Sequence, residues 1–139
     1  TVSNAVPDYA KLTCDTRYTD YALLEEVLPK LQAIAAKQYV PDTKTVMKTV
    51  TEFQSMDEVP GTAALLKLVQ EAAAECNLPQ PTAKAVGGGS DSAYATAAGV
   101  PTICAIGVQG ARNHTAEEFA VVDTLFSRCK LFATIMLNI

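Results

Sequence analysis

The residues of this chain that can do chemistry cluster in two segments. Residues 86–94 read Val-Gly-Gly-Gly-Ser-Asp-Ser-Ala-Tyr, and residues 112–118 read Arg-Asn-His-Thr-Ala-Glu-Glu. Successive glycines let the backbone take positive φ values and approach a ligand closely, so we expect the turn at residues 87–89 to line a substrate pocket. His114 is the only histidine, and a neutral imidazole is a common zinc ligand. The two segments therefore supply a turn that is predicted to face substrate and one candidate metal ligand.

Two carboxylates in these segments each have two interpretations. Glu118 lies four residues after His114 and either holds the imidazole in one tautomer or stabilises the start of a helix. Asp91 either binds backbone amides of the glycine turn or caps the short helix that follows. Taken alone, a single histidine beside Asn and Thr is more often an ordinary surface residue. The three glycines could form only a tight connection, but their conformational entropy cost favours a turn that faces substrate.

The first part of the chain predicts a strand-helix-strand unit. Residues 10–18 alternate between apolar and polar side chains, which is typical of a half-buried strand. Apolar residues then recur at helical spacing over residues 20–37, with Asp20 as the cap and Pro29 expected to kink or restart the helix. Residues 43–53 are rich in Thr and Val and predict a second strand.

The second part predicts three helices and one strand. Helical spacing over residues 62–77 ends at an asparagine before a proline, and a short helix over residues 93–98 ends at Gly99. Residues 102–107 form an apolar run suited to a buried strand, and residues 122–137 predict a closing amphipathic helix. The chain therefore reads as an α/β protein.

Composition limits the partners. The chain has 139 residues, 49% of them hydrophobic, and a net charge of -4, which predicts a globular protein and excludes nucleic acid and an anionic membrane surface as expected partners. No apolar run has the roughly 18 residues of a membrane span. Since the first residue is Thr1 and not methionine, we expect a piece of a longer or processed protein.

The four cysteines predict free thiols. They lie far apart in the sequence, without a CxxC pair or a histidine at zinc-finger spacing, so we expect buried side chains that act as small hydrophobic groups. Unpaired thiols favour a reducing compartment such as the cytoplasm, although the sequence leaves the localisation open.

The motifs together resemble one family. The Gly-Gly-Gly-Ser-Asp turn at residues 87–91, the Gly-Val-Pro-Thr run at 99–102, and His114 with Glu118 resemble the C-terminal part of the dinuclear zinc hydrolases around glutamate carboxypeptidase, peptidase T, aminoacylase and succinyl-diaminopimelate desuccinylase. Asn4, in an Asn-x-x-Pro run, and Arg17, in Asp-x-Arg, resemble strands of that family's lid domain.

The resemblance implies a fold and a set of roles. Residues 1–56 would form part of a ferredoxin-like lid and dimerisation domain, and residues 57–139 the C-terminal part of a zinc-peptidase-like catalytic domain, with a linker near residue 56. His114 would bind one metal ion, and Asn4 would bind the substrate and transition state from the lid. The substrate pocket would be lined by Gly87, Gly88 and Gly89. Supporting roles would fall to Asp91, Glu118 and Arg17.

The resemblance also implies a reaction and its limits. A pair of zinc ions, with cobalt or manganese as alternatives, and a glutamate base would activate water to hydrolyse a peptide or an N-acyl amino acid. The other metal ligands and the base lie in a portion that this sequence does not contain, so the isolated chain is expected to be inactive. The expected partners are the remainder of the catalytic domain and a second copy bound through the lid.

One departure bears on specificity. Relatives of the glutamate carboxypeptidase type carry an arginine at the junction of lid and catalytic domain that clamps a substrate carboxylate, whereas residues 53–56 read Phe-Gln-Ser-Met. This argues against a preference for C-terminal glutamate. Aminopeptidase, carboxypeptidase and deacylase activities remain open, and the alternative function is a non-catalytic dimerisation or binding module.

Overall fold

The computed structural model describes residues 3–139 as a mixed α and β chain, which is compatible with the predicted α/β class. Four helices and one short antiparallel hairpin make up the regular structure of this part of the chain. In chain order they are α1 (Tyr21–Ala36), α2 (Thr62–Glu75), α3 (Ser92–Ala97), β1 (Gly110–Ala111), β2 (Phe119–Ala120) and α4 (Val122–Leu137).

The predicted helices are confirmed because their start and stop signals lie in local sequence. The Asp20 carboxylate accepts a hydrogen bond from the Ala22 amide at 2.9 Å and caps α1. The helix then runs through Pro29 as one element, so the predicted restart does not occur. Asn77 (φ 57°) stops α2 and Gly99 (φ 82°) stops α3, both in the left-handed conformation that ends many helices.

The core lies between α2 and α4. Val69 and Leu131 are its largest fully buried side chains, and Ile135 completes it from α4. Two alanines of α2, Ala72 and Ala73, are fully buried and let the two helices approach closely. Half-buried Leu68, Leu78, Ile103 and Ile106 pack around this core. No helix among the described residues has the length and apolar character needed to cross a membrane.

The three predicted strands are absent, which corrects the sequence analysis. Residues 10–18, 43–53 and 102–107 lie outside every strand of the described chain. A strand exists only when a second strand accepts and donates its ladder hydrogen bonds. The first two segments have no such partner here, and their apolar side chains are exposed. In residues 102–107 the left-handed φ of Ala105 (59°) interrupts the extended conformation.

The cysteines are free, as predicted, but only partly buried. Cys76 is buried and Cys104 is half-buried, whereas Cys14 and Cys129 are exposed. The expectation of buried thiols is therefore wrong for these last two residues.

Candidate functional site

The glycine turn is approached closely by side chains from the first part of the chain. The Arg17 Nη1 donates a hydrogen bond to the Gly87 carbonyl at 3.2 Å, and a Cβ on Gly87 would lie only 3.1 Å from that nitrogen. The Phe53 ring lies 3.4 Å from where a Cβ on Gly89 would be. None of the three turn glycines takes a positive φ. The prediction that these glycines take positive φ values is therefore wrong. Their lack of a side chain instead lets Arg17 and Phe53 approach the backbone closely.

Arg17 is oriented by a neighbouring carboxylate. Its Nε and Nη2 both donate to Asp15 Oδ2, at 3.2 and 3.0 Å, which leaves Nη1 for the glycine turn. Both side chains are about two-thirds exposed, so the ion pair adds little stability. Its effect is geometric, since the planar guanidinium can bind a carboxylate and a carbonyl only in a fixed orientation.

Phe53 is fixed in a similar way. The Tyr18 hydroxyl donates to the Phe53 carbonyl, and the pKa of Tyr18 is raised by burial and by the nearby Glu52 carboxylate. Arg17 and Phe53, which are far from the turn in sequence, thus contact its two outer glycines. The middle glycine, Gly88, would present a Cβ to open space.

The C-terminal end of the turn is held by a serine and a cysteine. The Ser90 Oγ and the Cys104 Sγ lie 3.1 Å apart in a hydrogen bond, and the Ser92 amide donates to the same Ser90 oxygen at 3.2 Å. The Ser90 hydroxyl therefore binds the first amide of α3, whereas Asp91, the N-cap residue, makes no side-chain cap bond and is exposed. Hydrogen bonds from Ser90 and Ser92 lower the pKa of the Cys104 thiol.

His114 lies in the loop of the β1–β2 hairpin. Gly110 pairs with Ala120, and Ala111 with Phe119. Gly110 is required there, because a Cβ on it would lie 2.3 Å from the Phe119 carbonyl oxygen. Within the loop, Arg112 (φ 62°) and His114 (φ 66°) both take the left-handed conformation, which is uncommon for residues other than glycine.

Glu118 holds the backbone of His114. Its Oε2 accepts a hydrogen bond from the His114 amide at 3.1 Å, so the recorded contact is with the main chain and not with the imidazole. This bond closes the loop and stabilises the left-handed conformation of His114. His114 itself is exposed, and its ring is accessible to a ligand.

The predicted site residues fall into separate groups. One groove, of about 540 Å³, is lined by Arg17, Gly87 and apolar residues of α1. A second, of about 330 Å³, lies beside the hairpin and includes Asn113 and Glu118. The two grooves share no lining residue. Asn4 lies in an exposed turn near the start of the described residues.

The donor set for a metal ion is incomplete. Across residues 3–139, no three His, Cys, Asp or Glu side chains come together in a group that could hold a metal ion. A catalytic zinc ion needs about three protein ligands, and His114 supplies one. The residues present therefore do not form a whole zinc site.

Two contacts of the site, Cys104 with Ser90 and Phe53 with Gly89, could not be predicted from the sequence. Nothing marks Cys104 or Phe53 as site residues, since neither belongs to a spaced motif. Their partners, Ser90 and Gly89, are distant along the chain, and only the folded structure brings them together.

The comparisons with known proteins identify the family. A comparison with curated proteins and one with solved structures gave no significant match. Residues 16–138 match the sequence profile of peptidase family M20/M25/M40, which takes in both candidate segments and nearly the whole chain. The chain therefore belongs to peptidase family M20/M25/M40, a family of metal-dependent hydrolases.

Proposed function

We propose that this chain is part of a hydrolase that cleaves the amide bond of a peptide or an N-acyl amino acid. One observation carries the proposal: His114 is held in a left-handed conformation, φ 66°, by a hydrogen bond from its amide to Glu118. Backbone conformations of this kind cost free energy and concentrate at functional sites. The strained residue is also the only histidine of a chain from a metal-dependent family.

The residues of this chain would bind and orient the substrate. In this proposal the imidazole of His114 is one metal ligand, and the carboxylate of Glu118 sets its position through the main chain. The substrate would lie against the turn, whose members are Gly87, Gly88 and Gly89. Asn4 would donate a hydrogen bond to the substrate, while Arg17 and Asp91 keep supporting roles.

The remaining metal ligands would come from outside this chain. We propose zinc as the metal, with a pair of ions in each intact subunit, because imidazole and carboxylate ligands suit it; cobalt and manganese are the alternatives. A single imidazole supports no hydrolytic step, so the isolated chain would be inactive. The division into a lid part (residues 1–56) and a catalytic part (residues 57–139) belongs to the same proposal.

We propose further that the lid part pairs two subunits. Its apolar side chains are more exposed than is usual on the surface of a monomeric protein: Leu12 is 91% exposed, and Val50 is 89% exposed. Contacts with a second copy and with the remainder of the protein would cover them. A pure dimerisation module would also use this surface, so the metal content decides between the two functions.

The test is the zinc content and activity of the full-length gene product before and after His114→Ala. We expect about two zinc ions per subunit in the wild-type protein, fewer in the variant, and loss of hydrolysis of a panel of dipeptides and N-acyl amino acids. Asn113→Ala is the matched control, because it changes the same loop and leaves the imidazole in place.

Unchanged zinc content in His114→Ala would refute the metal-ligand role. Equal zinc loss in Asn113→Ala would mean that the loop conformation matters and the imidazole does not. A wild-type protein without bound zinc and without hydrolysis would leave the dimerisation module as the function.

A further inference from the structure

We propose that Cys104 is a positioning residue that fixes the C-terminal end of the glycine turn in the conformation that receives substrate. The inference rests on the proposed role of residues 87–89 in substrate binding. Cys104 lies outside the motifs that carry the family resemblance, and among the described residues it belongs to no group of three side chains that could hold a metal ion. Its role follows from what it joins.

Cys104 connects the turn to the core. Ile103 and Ile106, on either side of it, pack against the buried cluster of α2 and α4. The Cys104 Sγ is hydrogen-bonded to the Ser90 Oγ at 3.1 Å. Since Ser90 directly follows the third glycine of the turn, its anchoring fixes where the turn ends.

Ser90 also passes this constraint to α3. Its Oγ accepts a hydrogen bond from the Ser92 amide, and its carbonyl accepts one from the Ala93 amide at 3.0 Å. One serine thus joins the turn, the first residues of α3 and the thiol. Without the sulfur, the hydroxyl keeps a single partner and has more orientations available.

The turn is then held at both ends and open in the middle. Arg17 binds the Gly87 carbonyl, and Phe53 lies against Gly89. Gly88 has no atom within 4 Å of the position of a Cβ. A backbone fixed at its ends, with space over its centre, can present its polar groups to a ligand without first being ordered by it.

The test compares three variants of the full-length gene product by hydrogen exchange and by steady-state kinetics. Cys104→Ala removes the sulfur, Cys104→Ser retains a hydrogen-bonding atom, and Cys129→Ala is the matched control at an exposed thiol. Exchange is followed by mass spectrometry on overlapping peptides that cover residues 87–94. Ser90→Ala removes the other partner and serves if Cys104→Ala does not fold.

We expect Cys104→Ala to speed exchange of the Ser92 amide about fivefold, as the loss of one hydrogen bond predicts. It should raise KM more than it lowers kcat, at unchanged zinc content, because the turn binds substrate and does not bind metal. Cys104→Ser should bring the exchange rate and KM most of the way back to the wild-type values, and Cys129→Ala should behave as wild type.

Three results would overturn the proposal: unchanged exchange in Cys104→Ala, no rescue by Cys104→Ser, or faster exchange without a change in KM. Failure of the proposed function looks different. A wild-type protein that hydrolyses no substrate would remove the catalytic role, while the exchange data would still show whether Cys104 fixes the turn.

Discussion

Gly110→Ala is expected to distort the hairpin that presents His114. The added Cβ would lie 2.3 Å from the Phe119 carbonyl oxygen, and real Cβ atoms essentially never come within 3.0 Å of another atom. The obstacle is backbone on the paired strand, so no side-chain rotation relieves it. Strands β1 and β2 must separate by several tenths of an ångström, which weakens the hydrogen bonds between them.

The size of the effect follows from those hydrogen bonds. Overpacking and the loss of one or two exposed main-chain bonds together cost about 2 kcal/mol. In local opening this corresponds to about thirtyfold faster hydrogen exchange. The best reporter is the Val121 amide, which donates to the Gln109 carbonyl at 2.8 Å next to the pair.

Gly107→Ala is the matched control. A Cβ there would meet nothing within 4 Å, and the residue has no positive φ, so exchange at Val121 should stay near the wild-type rate. In the full-length gene product, Gly110→Ala should also weaken zinc binding, because the loop that holds His114 moves. Equal exchange rates in the two variants would refute the steric reasoning.

Three further predictions concern stability and titration. Leu131→Ala should lower the free energy of unfolding by about 2–5 kcal/mol, because Leu131 is fully buried; urea unfolding that shows a loss below about 1 kcal/mol contradicts this. Asp20→Ala should cost about 1 kcal/mol through the lost cap on Ala22, and circular dichroism should show that Asp20→Asn retains the helix content. The hydroxyl of Tyr21 donates to the Glu52 carboxylate at 2.6 Å, which raises the pKa of Tyr21. The stabilisation that this hydrogen bond contributes is complete below about pH 10 and is lost as the pH rises through the raised pKa of Tyr21. Ultraviolet titration of Glu52→Gln should therefore show Tyr21 losing its proton at a lower pH than in the wild-type protein.

The sequence predicted helices well and strands poorly for a physical reason. A helix carries its hydrogen bonds within itself, so the signals at Asp20, Asn77 and Gly99 were sufficient. A strand needs a second strand, and local alternation says nothing of where that partner is. The short β1–β2 pair was not predicted because each strand has two residues, too few to show an alternation of apolar and polar side chains.

The candidate site was predictable in its residue types and not in its contacts. A single histidine and three successive glycines can be identified from the sequence without a structure, and they indicated His114 and the turn as site candidates. The bond from Arg17 to Gly87 spans 70 positions, and the one from Ser90 to Cys104 spans 14. Such contacts depend on tertiary packing, which local pattern does not encode.

The unpaired strand segments and the incomplete metal site have the same explanation. A ladder of hydrogen bonds requires a second strand, and a zinc site requires about three ligands; the described residues offer alternating segments and one imidazole. The features that need no partner, which are the capped helices and the α2–α4 core, are complete. In the proposed larger hydrolase, the rest of the protein would supply the second strands and the remaining metal ligands.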